Sequence, residues 1–215
     1  ILEDKEIVKR AAEASSAYNQ LLGDDSGDIK QKIFNAILST QITEGLSFYT
    51  SFACSFFFGY RGKMEGNAKI IGLIARDENL HAAITQNIMK YWKEDKSEGF
   101  QQIMKDNKQK IYDMYGLAAE NEKKWGEYLF SQGSLLGLNA EMLSGYIEWL
   151  TNTRLRSLGY DKIFDQPTNP IGGWLNSFSD SSKVQVAPQE TEISSYKIGA
   201  RDTEIGEEEF NDFDL

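Results

Sequence analysis

The chain has 215 residues, of which 40% are hydrophobic and 12% aromatic, so it can bury the core of one domain. Its formal net charge of −10 argues against a surface that binds nucleic acid or an anionic membrane. No apolar stretch approaches the roughly 18 residues that a membrane span needs. The single cysteine, Cys54, has no partner for an internal disulfide and fits a reducing compartment. We therefore expect a cytoplasmic protein.

Helical periodicity dominates the chain as far as about residue 158. All three prolines lie after residue 166, so none interrupts the earlier part. Apolar residues spaced by three and four predict helices that begin near Leu2 and Ile29, followed by helices over about 43–60, 66–92, 98–130 and 139–158. The segment SQGSLLGL between the last two has the length that joins antiparallel neighbours. The pattern predicts an all-α bundle.

The character of the sequence changes after Gly159. A turn-rich segment follows, in which Trp174 is expected to anchor the chain on the bundle. Residues 190–215 carry nine acidic residues against Lys197 and Arg201, which gives that segment a net charge of −7. Such a composition is typical of a segment without a core of its own. We predict a bundle domain over residues 1–175 and a flexible acidic tail over 176–215.

The segment GNAKIIGLIARDENLHAAITQ, residues 66–86, contains the only histidine of the chain. His81 follows Glu78 by three residues, so the two side chains share one face of the predicted helix. A metal ion would compensate a carboxylate on a buried face, where an unpaired charge is costly. Two other interpretations stay open: Glu78 with Arg76 and Asp77 forms a solvated face, or His81 is a hydrogen-bonded core residue.

The preceding helix offers a third candidate ligand. In EGLSFYTSFACSFFF, Glu44 is followed at intervals of four by Phe48 and Phe52, so one carboxylate heads a stripe of aromatic rings. Glu44 near a helix start would also be favoured by the helix dipole alone. The two helices together supply half of the ligand set of ferritin-like dinuclear carboxylate bundles. Carboxylate oxygens with one imidazole suit iron or manganese.

Several longer motifs carry a family resemblance. These are EGLSFYTSFACSFFF, MEGNAKIIGLIARDENLH, EYLFSQGSLLGLN, NPIGGWLN and VQVAPQETEISSYKIG. In this order, from about residue 30 to Leu215, the chain resembles the small (beta) subunit of class I ribonucleotide reductase. The resemblance implies a partial ferritin-like bundle in which Glu44, Glu78 and His81 bind the second iron of a di-iron centre. Asp77 matches a carboxylate that hydrogen-bonds a ligand histidine and belongs to the radical-transfer path.

The resemblance also implies roles for apolar residues and for the tail. The apolar pocket around the radical tyrosine would include Phe48, Phe52 and Ile74. Tyr196 would relay an electron and a proton to the large (alpha) subunit, and Phe213 and Leu215 would anchor the final peptide on that subunit. The implied activity is the reduction of ribonucleoside diphosphates to deoxyribonucleotides for DNA replication, by a homodimer of beta subunits working with alpha.

The chain departs from the family pattern in its first part. With one histidine it cannot hold a second Glu-x-x-His, and Tyr18, the only tyrosine before Glu44, lacks the surrounding ligand motif. We expect that a split-gene partner supplies the missing N-terminal half, or that the sequence is truncated, partial or a decayed copy. A symmetric dimer pooling the same three ligands is the alternative, although the resemblance places the other ligands on different helices. Two further alternatives are a fragment that only binds the large subunit through its tail, and another ferritin-like di-iron oxidase.

Overall fold

Helices account for most of the described part of the molecule. The computed structural model describes residues 28–179 without a gap, together with scattered residues between 4 and 15, several of which are helical. The helices in 28–179 are α1 Ile29–Leu46, α2 Tyr49–Tyr60, α3 Glu65–Glu94, α4 Phe100–Asp106, α5 Lys108–Leu129, α6 Ala140–Ser157 and α7 Gly172–Ser179. Within these residues the only β pairing is an isolated bridge between Leu135 and Leu138. The prediction of an all-α fold is confirmed.

The long helix α3 is the element against which α1 and α2 pack. Its buried face carries small or flexible residues at intervals of seven, namely Ala68, Ala75, Ala82 and Met89. Small residues let neighbouring helices approach closely. A Cβ atom built on Gly45 of α1 would lie 3.8 Å from the Ala82 Cβ, and one built on Gly59 of α2 would lie 2.6 Å from the Ala68 Cβ. The end of α1 is therefore held directly against the middle of α3.

The second half of the bundle is formed by α5 and α6, which pack on each other. Asn139 caps the start of α6 by accepting a hydrogen bond of 2.8 Å from the Met142 amide. The helix ends at Ser157, and two residues later Gly159 has a φ of +74°, which favours glycine, while the Tyr160 amide donates to the Leu155 carbonyl at 3.0 Å. The fully buried side chains of the core come mainly from α1, α3, α5 and α6, with Leu138 and Ile171 from connecting segments, and include Phe34, Leu38, Met89, Ile111, Leu143, Ile147 and Leu155.

Two predicted helices are each interrupted. The helix expected over 43–60 does not form as one piece, because α1 continues to Leu46 and α2 begins at Tyr49. Side chains from other helices bind the backbone groups that this interruption leaves without helical partners. The helix expected over 98–130 is broken at Asn107, where the Ile103 carbonyl accepts from both the Asn107 amide at 3.0 Å and the Asn107 side chain at 2.8 Å.

The segment after α6 returns to the bundle at Trp174. Its ring lies 5.4 Å from the Phe57 ring and 5.8 Å from the Tyr60 ring, measured between centroids, so the expected anchor is confirmed. The helix α7 crosses the position 175/176 at which the bundle and tail were separated. Residues 180–215 lie outside the described residues, and the division into bundle and flexible tail stays a prediction.

Candidate metal centre

Glu44 lies in the last turn of α1, not at the start of a helix as the sequence suggested. A carboxylate is disfavoured by the helix dipole at that end, so the dipole does not explain its presence. The Gly45–Ala82 approach places this turn beside the part of α3 that carries His81. Glu44 therefore lies beside α3, at a helix end where the dipole disfavours a negative charge.

The three predicted ligands meet at one point. His81 Nδ1 lies 3.0 Å from Glu78 Oε2 on its own helix and 3.4 Å from Glu44 Oε2 on α1. One ligand atom from each of the three residues falls within 4.8 Å of the other two. The two glutamate side chains are mostly buried, at 19% exposure for Glu44 and 17% for Glu78, whereas His81 is 51% exposed. Of the interpretations left open for His81, a hydrogen-bonded core residue does not match this exposure, because no described element covers that side of α3.

The electrostatics of this cluster favour an added cation. Burial raises the pKa of Glu44 from 4.5 to about 7, and the hydrogen bond and charge of Glu78 add to the effect, while His81 opposes it. The pKa of His81 is raised as well, first by its hydrogen bond to Glu78 and then by Glu44. The described ion pairs of both glutamates are with His81 alone. Two carboxylates thus share one imidazole, and either a proton or a metal ion balances the remaining charge.

The donor set fits a hard or borderline divalent metal. Two carboxylate oxygens and an imidazole nitrogen are ligands that iron and manganese accept, whereas structural zinc sites usually add thiolates or further imidazoles. Three protein ligands leave coordination positions for further groups. The exposed side of His81 is where such groups would enter.

The residues assigned to an apolar pocket differ in how far they are buried. Phe52 is buried and packs against Phe48, Tyr49 and Phe56, with ring centroids 5.5–6.4 Å apart. Phe48, in the interruption between α1 and α2, is 39% exposed, and Ile74 on α3 is 41% exposed. The described residues therefore form only part of a dry pocket, and its assignment stays a prediction.

The remaining assigned residues are less constrained. Asp77 is exposed on α3, immediately before Glu78. Tyr196, Phe213 and Leu215 lie outside the described residues. Their roles stay predictions.

Two polar residues that no sequence pattern indicated bind groups close to the cluster in the chain. Arg154 of α6 donates to the Gly45 carbonyl at 3.0 Å, to the Tyr49 hydroxyl at 2.9 Å and to Asn79 Oδ1 at 2.8 Å. The buried carboxylate of Glu122 on α5 accepts from the Thr50 amide at 3.2 Å. Both residues are more than 70 positions from their partners in sequence, so no local pattern could reveal them.

An apolar strip on α3 extends from the cluster in both directions. Ile70, Ile84 and Tyr91 are at least half exposed and follow the same helix face as Asp77 and His81. We call these five residues the open face of α3. Among the described helices, none combines the length and the apolar character that crossing a bilayer requires.

The class of protein follows from this arrangement. An all-α bundle in which one helix presents a carboxylate and its neighbour a Glu-x-x-His pair, converging on one point, defines the ferritin-like carboxylate bundles. The prediction of that class is confirmed, and the chain contains part of the fold.

Comparison with known proteins identifies the family. Residues 1–170 match the family model for the small chain of ribonucleotide reductase. The chain is 41% identical to the ribonucleoside-diphosphate reductase subunit beta of Buchnera aphidicola subsp. Baizongia pistaciae, over all of this chain and 63% of that relative. It is 40% identical to the subunit of the same name from Haemophilus influenzae, with the same coverage. The solved ribonucleotide reductase R2 subunit from Clostridium botulinum matches with a TM-score of 0.73 and 28% identity, covering 82% of this chain and 54% of that one.

The chain therefore belongs to the ribonucleotide reductase small-chain family. Its curated relatives are the beta subunits of an oxidoreductase, and it spans 63% of the length of the two named above.

Proposed function

We propose that this chain is the C-terminal part of a ribonucleotide reductase beta subunit and contributes half of its dinuclear metal site. The observation that carries the proposal is the convergence of Glu44 Oε2, Glu78 Oε2 and His81 Nδ1. The full beta subunit would serve the reduction of ribonucleoside diphosphates to deoxyribonucleotides. Family membership supports this function, since the two curated relatives named above match over the whole chain.

The three side chains would hold one metal ion through two carboxylate oxygens and one imidazole nitrogen. Iron is the metal we propose, and manganese suits the same donors. When bound, the dinuclear centre would supply the oxygen-dependent oxidation of a nearby tyrosine. Loading displaces the proton that the raised pKa of Glu44 retains near neutral pH, because a coordinating carboxylate must be ionised.

The apolar residues would keep water away from that chemistry. Phe52 on α2 is already buried, whereas Phe48 and Ile74 are each more than one third exposed. A further helical segment that covers the open face of α3 would complete the pocket and bring a second carboxylate and a second Glu-x-x-His. Since His81 is the only histidine in the 215 residues, a second Glu-x-x-His would come from sequence beyond these residues or from a second copy of the chain.

The tail would connect this centre with the large (alpha) subunit. Tyr196 would pass the oxidising equivalent between the subunits, with Asp77 on the path from the metal site. Phe213 and Leu215 would anchor the acidic peptide in an apolar groove of alpha, a mode in which a segment orders on binding. A homodimer of beta subunits in the cytoplasm completes the proposal.

Reconstitution tests the proposal against its alternatives. The chain is mixed with an alpha subunit and with the separately expressed N-terminal helices of a relative's beta subunit, and iron uptake, a tyrosyl radical signal and nucleotide reduction are measured. Recovery of all three supports the enzyme component. Tail-dependent binding to alpha without metal uptake would instead indicate a fragment that only binds. Oxidase activity that tolerates deletion of residues 190–215 would indicate another ferritin-like oxidase.

A further inference from the structure

The interruption between α1 and α2 leaves one backbone acceptor and one backbone donor without a partner in their own helices. The carbonyl of Gly45 belongs to the last turn of α1, and the amide of Thr50 belongs to the first turn of α2. Such groups have no partner inside their own helix and must be satisfied from elsewhere. Glu44, a candidate ligand, directly precedes Gly45, so whatever holds this carbonyl also holds the ligand.

Each of these groups is bound by a side chain of the favourable charge. The Arg154 guanidinium lies at the C-terminal end of α1, where the helix dipole favours a cation, and its Nε donates to the Gly45 carbonyl at 3.0 Å. The Glu122 carboxylate lies at the N-terminal end of α2, where an anion is favoured, and it accepts from the Thr50 amide at 3.2 Å. Glu122 is 1% exposed, so this contact is deep in the bundle. The interruption is thus a fixed structure with dedicated partners on α5 and α6.

Arg154 also reaches the second ligand-bearing helix. Its Nη2 donates to Asn79 Oδ1 on α3 at 2.8 Å and to the Tyr49 hydroxyl at 2.9 Å, and that hydroxyl in turn donates to Asn79 Oδ1 at 2.8 Å. Asn79 directly follows Glu78. One guanidinium therefore joins the residue after Glu44 to the residue after Glu78. The approach is close, since a Cβ atom built on Gly45 would lie 3.3 Å from Arg154 Nε.

From these contacts we propose that Arg154 is a positioning residue of the metal centre, which sets the separation of Glu44 from Glu78 and His81 without touching the metal. The inference rests on the proposed metal site and adds a determinant of its geometry. The planar guanidinium can donate to the Gly45 carbonyl and to the Tyr49–Asn79 pair at once. A lysine ammonium keeps the charge but lacks the planar arrangement of several N–H donors that lets arginine bind both groups. Loss of partners that orient metal ligands typically weakens metal affinity about 10- to 100-fold.

The test uses the complete 215-residue chain with Co²⁺ alone. Affinity is read from the titration of its visible absorption, and coordination geometry from the spectrum at saturation. Arg154→Lys is compared with Arg156→Lys, an exposed arginine two residues further along α6. Asn79→Ala removes the link to α3 while leaving Arg154 in place, and it serves where Arg154→Lys does not fold. We expect Arg154→Lys to weaken Co²⁺ binding about tenfold and to change the spectrum at saturation. Asn79→Ala should shift the affinity and the spectrum in the same direction. Arg156→Lys should change neither the affinity nor the spectrum.

The saturated spectrum separates positioning from simple loss of stability, because a folded chain with correctly placed ligands gives the parent spectrum once it is saturated. A folded Arg154→Lys chain with the parent affinity and spectrum would overturn the inference. Where that variant does not fold, the same result from Asn79→Ala would overturn it. If the unsubstituted chain binds no Co²⁺ even when mixed with the N-terminal helices of a relative's beta subunit, the proposed function fails and this inference with it. A chain that binds Co²⁺ equally well with and without Arg154 refutes the positioning role alone.

Discussion

Metal binding to this chain should depend strongly on pH between 6 and 8. The perturbation is a change of buffer, and the responding group is Glu44, whose pKa is raised to about 7 by burial and by the neighbouring Glu78. A protonated carboxylic acid cannot act as an anionic ligand, so protons and metal compete for this oxygen. His81, whose pKa is also raised, competes in the same direction. Affinity should therefore fall as the pH is lowered.

The size of the effect follows from the pKa. With a pKa of about 7, about one tenth of Glu44 is ionised at pH 6 and about nine tenths at pH 8. Competition by this one proton weakens the apparent affinity about tenfold over that interval, or about 1.4 kcal/mol. A glutamate with the ordinary pKa of 4.5 would be ionised throughout this interval, and the metal affinity of the site would hardly change.

Co²⁺ titrations at pH 6, 7 and 8 measure this difference. The matched control is Glu127→Gln, which removes an exposed carboxylate on α5 away from the cluster and should leave the pH dependence intact. Glu44→Gln should weaken binding at every pH and flatten the part of the profile that Glu44 contributes. Affinities that agree within about twofold between pH 6 and pH 8 in the unsubstituted chain would refute the assignment of a raised pKa at this site.

Three further predictions concern single substitutions. His81→Ala should abolish measurable Co²⁺ binding, whereas Asn87→Ala, an exposed position on the same helix, should not; equal titrations for both would remove His81 from the ligand set. Gly59→Ala should destabilise the fold by about 1–3 kcal/mol in denaturant unfolding, because its Cβ would lie 2.6 Å from a side chain of α3. Gly66→Ala, with nothing within 4 Å of the new Cβ, should instead be neutral or slightly stabilising, and the reverse order would contradict the close approach of α2 to α3. In the reconstituted enzyme, Tyr196→Phe should leave metal loading and radical formation intact and stop nucleotide reduction, so normal turnover would exclude its relay role.

The periodicity of the sequence predicted the helices well where one face is buried along its whole length. The α3 and α6 helices were expected over 66–92 and 139–158 and were found at Glu65–Glu94 and Ala140–Ser157. Local pattern failed where distant residues decide the backbone. Nothing between 43 and 60 indicates an interruption, because the groups that stabilise it belong to Arg154 and Glu122.

The sequence predicted which side chains form the candidate metal site better than it predicted how far they are buried. The Glu-x-x-His spacing placed Glu78 and His81 on one helix face, and the carboxylate at the head of the aromatic stripe added Glu44, which the structure brings to the same point. The spacing did not decide how far each side chain is buried, and the structure leaves His81 51% exposed and Glu78 17% exposed. Exposed apolar residues such as Ile70 and Ile74 indicate that another segment packs on this face of α3. They do not indicate whether that segment belongs to the same polypeptide.

The open face of α3 makes the stability of this chain a matter of mass action. Any segment that binds that face in the native state and not in the unfolded chain adds RT ln(1 + [L]/Kd) to the free energy of unfolding, which is about 2.7 kcal/mol at one hundred times its Kd. The unfolding midpoint should therefore rise with the concentration of any such segment that is added to the chain.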